Sequence, residues 1–192
     1  MSERPQTPAQ TVGPFFHFAL MRHGVDQLDP KQEAGSPLVV AGYVIDGAGE
    51  VVSDAMVEIW QADGGGRYRH PADGRVGDVP TSFIGFGRVA STDDGIFRFT
   101  SAMPGTVPGP DGALQAPHLN VQVFARGLLD HLATRIYFPD HPANEDDPIL
   151  ARVPEQRRDT LIAREEGSEG EALVYRFDIV LQGEDETVFF EV

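Results

Sequence analysis

From Leu38 onward, apolar residues alternate with polar ones instead of recurring at helical spacing, which predicts strands. The run Leu38-Val39-Val40-Ala41-Gly42-Tyr43-Val44-Ile45 reads as a first strand, closed by the turn signal Asp46-Gly47-Ala48-Gly49. Residues 51–60 read as a second strand, with Ala55, Val57 and Ile59 on one face and Met56, Glu58 and Trp60 on the other. Residues 85–92 and 96–101, joined by Asp93-Asp94-Gly95, predict a hairpin. Residues 119–126 and 132–138 predict another strand pair, and 172–182 and 187–192 supply two more strands. Short strands punctuated by Gly, Pro and Asp turns predict an all-β fold, an antiparallel β-sandwich with long loops. Helical pattern is limited to 154–163, with Pro154 suited to a first helical position, and to a short stretch at 148–152. Two long irregular stretches, 62–82 and 102–117, are of a length usually reserved for function or for packing on a partner. With no internal repeat and no linker, residues 1–192 are expected to form a single domain.

Composition sharpens this picture. A chain of 192 residues is ample for a hydrophobic core, and its 21 glycines and 15 prolines speak against a helical bundle. The absence of cysteine excludes disulfides, thiolate metal sites and a cysteine nucleophile. With 15 Lys+Arg against 30 Asp+Glu, the net charge of −15 repels phosphate backbones and anionic lipid, so neither nucleic acid nor a membrane is an expected partner. The first ten residues are polar and carry Pro5 and Pro8, without a signal-peptide pattern, and no apolar run approaches the ~20 residues of a membrane helix. A cytoplasmic location is the expectation.

The chemistry-bearing residues are sparse. Gly64-Gly65-Gly66 lacks the Lys-Ser/Thr of a phosphate cradle and reads as a flexible turn. The six histidines (His17, His23, His70, His118, His131 and His141) include no His-x-His or His-x-x-x-His pair. His118 reads first as a hydrogen-bonded structural histidine and second as a ligand or site residue. Tyr68 lies in a long loop, either covering apolar surface or serving as ligand or donor. Trp60 ends a strand and is expected in the core. Arg135, inside an apolar strand, needs an anion: an internal or subunit salt bridge, or a bound carboxylate. Glu184-Asp185-Glu186 reads as a solvated turn.

The segment Trp60-Gln61-Ala62-Asp63-Gly64-Gly65-Gly66-Arg67-Tyr68-Arg69-His70 closely resembles the one that carries the first iron-binding tyrosine in intradiol ring-cleaving dioxygenases. Further stretches agree: Thr11-Val12-Gly13-Pro14-Phe15-Phe16, Ala116-Pro117-His118-Leu119-Asn120, Thr134-Arg135-Ile136-Tyr137-Phe138, Arg157-Arg158-Asp159-Thr160-Leu161-Ile162, and the ending from Tyr175 to Phe190. The resemblance runs from about residue 7 to the C-terminus, and the family's fold is a β-sandwich. It implies an oxidoreductase that opens a catechol ring between the two hydroxylated carbons with O2.

The departures from the family pattern carry the most information. The family's iron-bearing chains hold Fe(III) with two tyrosines and two histidines. Here Tyr68 fills the first tyrosine position, Val107 stands at the second, and the His-x-His pair reads His118-Leu119-Asn120. An arginine expected three residues before the first histidine is replaced by Gln115. Val107 offers no lone pair and Asn120 only a neutral amide, so this chain is not expected to bind iron. Tyr68 and His118 are then remnants with local hydrogen-bonding roles. The resemblance implies a homologous iron-bearing beta subunit as partner, with Fe(III) held there and the chain inactive alone. It implies that residues 1–37 form an N-terminal arm reaching the substrate pocket, where Thr11, Gly13 and Pro14 line the wall. It also implies that Arg135 points into that pocket. The implied reaction of the complex turns 3,4-dihydroxybenzoate and O2 into 3-carboxy-cis,cis-muconate, a step of aromatic catabolism. The competing reading is a non-catalytic β-sandwich that binds a ligand or partner.

Overall fold

The computed structural model describes residues 19–21, 25–109 and 112–191. Its strands, in chain order, are β1 (Pro37–Ile45), β2 (Met56–Trp60), β3 (Phe86–Ala90), β4 (Ile96–Ala102), β5 (Val107–Pro108), β6 (Leu114–Gln115), β7 (His118–Phe124), β8 (Leu132–Tyr137), β9 (Arg164–Glu169), β10 (Ala172–Arg176) and β11 (Ile179–Val180). One sheet is built around β1, which pairs antiparallel with β4 and parallel with β10 and β11, while β9 extends β10. The other runs β3-β2-β7-β8, antiparallel throughout, and β5 and β6 form a separate ribbon. The expected sandwich is therefore present, and among the described residues parallel strand ladders are confined to β1.

Alternation decides what faces inward. Leu38, Val40 and Val44 of β1 and Phe97 and Phe99 of β4 meet Val57 and Ile59 of β2 and Leu119, Val121 and Val123 of β7 in one buried cluster. Leu28, just ahead of β1, is fully buried in the same cluster, so residues 25–36 pack on the sandwich. Each inward methylene removed from water stabilises the fold by about 0.8 kcal/mol, which makes this cluster the main source of stability.

The predicted hairpin across residues 93–95 does not form. Its two strands exist, but β3 pairs with β2 and β4 with β1, so the turn carries the chain from one sheet to the other. A Cβ on Gly87 would lie 2.8 Å from the Phe99 ring, which shows β3 and β4 stacked face to face. Alternation marks a strand and its inward face and says nothing of its partner. The predicted strand 172–182 is broken at 177–178, where the Asp178 carboxylate accepts the Tyr43 N–H (2.9 Å) in place of a backbone carbonyl. Of the strand predicted over 187–192, the described residues 187–191 form a tie instead: Val188 O accepts from Thr134 Oγ1 and Phe190 N–H donates to Ala133 O. Both expected helices are 3-10 turns, Leu150–Arg152 and Glu155–Leu161, the longer one following Pro154. No helix among the described residues is long and apolar enough to cross a membrane.

Candidate functional site

Because the inward residues of the second sheet are fixed by the core, the intervening ones project from its outer face. Register aligns Phe86, Trp60, Asn120 and Arg135 in one row across β3, β2, β7 and β8. His118 and Tyr137 are opposed one pleat further along the last two strands. Trp60 is thus on the outer face and not in the core, a correction of the sequence-based expectation. Alternation separates two faces, and here two long loops cover the outer one.

Glycine brings those loops together. Gly66 sits at φ +71°, and a Cβ there would fall 1.9 Å from Thr106 O; a Cβ on Gly105 would fall 2.5 Å from Gly64 O. The backbones at 64–66 and 105–106 touch only because Gly66 and Gly105 lack side chains. The buried Asp63 carboxylate accepts the N–H groups of Gly65 and Arg67 (2.9 Å each) and pairs with the Arg67 guanidinium (3.1 Å). Gly64-Gly65-Gly66 is therefore an organised turn, and the sequence reading of a flexible one is corrected. Asp73 accepts the Tyr68 N–H (2.9 Å), and its carboxyl is held at about 2, chiefly by hydrogen bonding to the Arg75 guanidinium.

Tyr68 is delivered onto Trp60, stacked at 5.7 Å between centroids and 10° between planes, with His70 edge-on to the same indole. Its hydroxyl accepts from Asn120 Nδ2 (3.3 Å), which also donates to Trp60 O (3.2 Å). Burial raises the Tyr68 phenol above its ordinary value, while the Asn120 hydrogen bond and the Arg135 charge pull it partly back. A cavity of about 790 Å³ opens here, walled by Trp60, Tyr68, Phe86, Val107, Asn120 and Gln122 among others. His118 is buried, and its Nδ1 donates to Ala116 O (2.7 Å). Burial first, and the Arg135 charge second, lower its pKa to about 4, so it is neutral at pH 7.

Arg135 stands beyond Asn120 on the far side from Trp60 and is not part of that cavity's wall. Its Nη1 donates to Gln115 Oε1 (2.7 Å) and to Tyr137 Oη (3.3 Å). The Tyr137 hydroxyl donates to Asp147 Oδ1 (3.2 Å). Among the described residues no carboxylate pairs with Arg135. The structure thus gathers Tyr68, Val107 and Asn120 around one cavity, with His118 on Asn120's face of the same strand. Thr11, Gly13 and Pro14 lie outside the described residues. Sequence reasoning passed over Tyr137 and Asp147. Tyr137 was within reach of it, since residues 135 and 137 share a strand face. Asp147, in the run Asn144-Glu145-Asp146-Asp147, carried no distinguishing signal.

Residues 12–183 match the model of a family described as Dioxygenase, so the chain belongs to the intradiol ring-cleavage dioxygenases, oxidoreductases that use non-heme iron. Over the full length of both chains it is 43% identical to the protocatechuate 3,4-dioxygenase alpha chain of Burkholderia cepacia. It is 36% identical to the protocatechuate 3,4-dioxygenase beta chain of the same organism, over 95% of this chain and 78% of that one. The dioxygenase domain of a dioxygenase–carbohydrate-binding protein fusion from Streptomyces sp. SirexAA-E superposes with a TM-score of 0.63 at 29% identity, covering 93% of this chain and 99% of that one.

The donor set does not fit the family's metal. Val107 contributes a hydrocarbon wall, and the Asn120 amide turns its N–H toward Tyr68 Oη, where a ligand would present a lone pair. One phenol and one imidazole leave a hard trivalent ion with too few anionic donors.

Proposed function

We propose that this chain is the iron-free alpha subunit of a protocatechuate 3,4-dioxygenase, and that Fe(III) is held by a homologous beta subunit. The complex converts 3,4-dihydroxybenzoate and O2 into 3-carboxy-cis,cis-muconate, both oxygen atoms entering the product. The observation that carries the reading is the Asn120 amide donating to the Tyr68 hydroxyl, beside Val107, where the family's donors would stand. Identity to alpha and beta chains of one enzyme supports the pairing. Arg135 supplies a positive charge without a carboxylate partner among the described residues, suited to the substrate carboxylate. The chain is read as one sandwich domain in which residues 1–37 form the arm toward the pocket and Thr11, Gly13 and Pro14 its wall.

Mixing the separately purified alpha and beta chains tests the proposal. Ring opening is expected only after mixing, and full activity of either chain alone sinks it. In the assembled complex, Arg135→Ala is expected to raise KM for 3,4-dihydroxybenzoate about tenfold or more, as for loss of a charge-assisted hydrogen bond of about 1.5–3 kcal/mol. KM for catechol should rise less; equal effects on both substrates refute a carboxylate-reading role.

A further inference from the structure

A guanidinium has five N–H donors in a rigid plane, and how it presents them depends on which are already engaged. In Arg135 both hydrogens of Nη1 are engaged, one by Gln115 Oε1 at 2.7 Å and one by Tyr137 Oη at 3.3 Å. Nε and Nη2 have no hydrogen-bond or ion-pair partner among the described residues. Tyr137 and Asp147 are fully buried. Asp147 Oδ1 accepts the N–H groups of Ile149 (2.8 Å) and Leu150 (2.7 Å) as well as the Tyr137 hydroxyl, and Oδ2 accepts Ala116 N–H (2.7 Å). A carboxylate held by three backbone groups thus accepts the tyrosine O–H, which turns a phenol lone pair toward Arg135. Burial raises the Tyr137 phenol further, so it keeps that proton at any physiological pH.

We propose that Tyr137 is a positioning residue: oriented by Asp147, and with Gln115 as second anchor, it pins the Nη1 corner of Arg135 so that the Nε–Nη2 edge is presented to the substrate carboxylate as a two-pronged donor. This rests on the reading of Arg135 given above. It also gives Gln115 a function: at the position where the family has an arginine, a neutral acceptor holds the Arg135 cation in place of repelling it.

The test uses the alpha–beta complex carrying Tyr137→Phe, which keeps the ring packed against Ala116, Leu150 and Leu161 and removes only the hydroxyl. The ratio of KM for 3,4-dihydroxybenzoate to KM for catechol is expected to rise at least threefold, and the change should disappear when Arg135→Ala is already present. Gln115→Ala, on a half-buried two-residue strand, should shift the ratio in the same direction and keeps the test open if Tyr137→Phe fails to assemble. If Arg135→Ala shifts the ratio while Tyr137→Phe and Gln115→Ala leave it fixed, the positioning role is wrong and the reading of Arg135 stands. If Arg135→Ala leaves the ratio fixed, that reading fails and the positioning role with it. A change in kcat or in both KM values alike for Tyr137→Phe marks a merely structural hydroxyl and overturns the inference.

Discussion

His118 has a folded pKa of about 4 against an ordinary 6.5, with burial as the main cause and the neighbouring Arg135 charge as the second. Between those values the unfolded chain binds the proton and the folded one resists it. The stabilisation is therefore complete above about pH 6.5 and is lost as pH falls toward 4, by roughly 3 kcal/mol at most. His118→Asn keeps a donor for Ala116 O and removes the titration. The expected outcome is a smaller loss of urea midpoint between pH 7 and pH 5 than in the parent chain; parallel losses would show that His118 does not titrate in this way. At this scale the sequence was informative where a residue type departs from a motif, as at Val107 and Asn120. It was silent on couplings across strands. Gln115, Arg135, Tyr137 and Asp147 meet through register and a turn, and no local pattern relates positions 20 and 10 residues apart.

At the scale of elements, the two loops over the outer face stand or fall together. Gly66→Ala places a side chain at φ +71° and drives its Cβ into Thr106 O, a backbone atom with no easy retreat. We expect a loss of roughly 2 kcal/mol or more, from left-handed strain plus the clash, seen in the urea midpoint. Gly74→Ala is the control: nothing lies within 4 Å of its Cβ, and stability should hold within about 0.5 kcal/mol. Equal stability of the two variants would mean that the loops do not depend on this close approach. The same distinction explains what was legible here. β1, β7 and β8 were visible because their alternate residues are apolar and feed one core. β9, Arg164–Glu169, was not, because all six of its residues are exposed and none advertises a buried face. The partners of β3 and β4 were hidden for a related reason: the turn at 93–95 serves a hairpin or a crossing between sheets equally well.

For the whole molecule, fold class and family were both within reach of the sequence, the first through strand alternation and turn residues, the second through motifs spread over nearly the entire chain. The shape of the loops was not, since it depends on contacts such as Asp63 with Arg67 and Gly66 with Thr106 that form only after the sheets are in place. In the proposed reading, the division of labour between two chains follows from the donors missing at Val107 and Asn120. Ferric iron analysis of this chain, expressed without a beta chain in iron-sufficient medium, tests that reading most directly. The expected result is iron far below one ion per chain and no visible phenolate absorption. A preparation that retains close to one ferric ion per chain through dialysis, with a purple-red phenolate band, would contradict it.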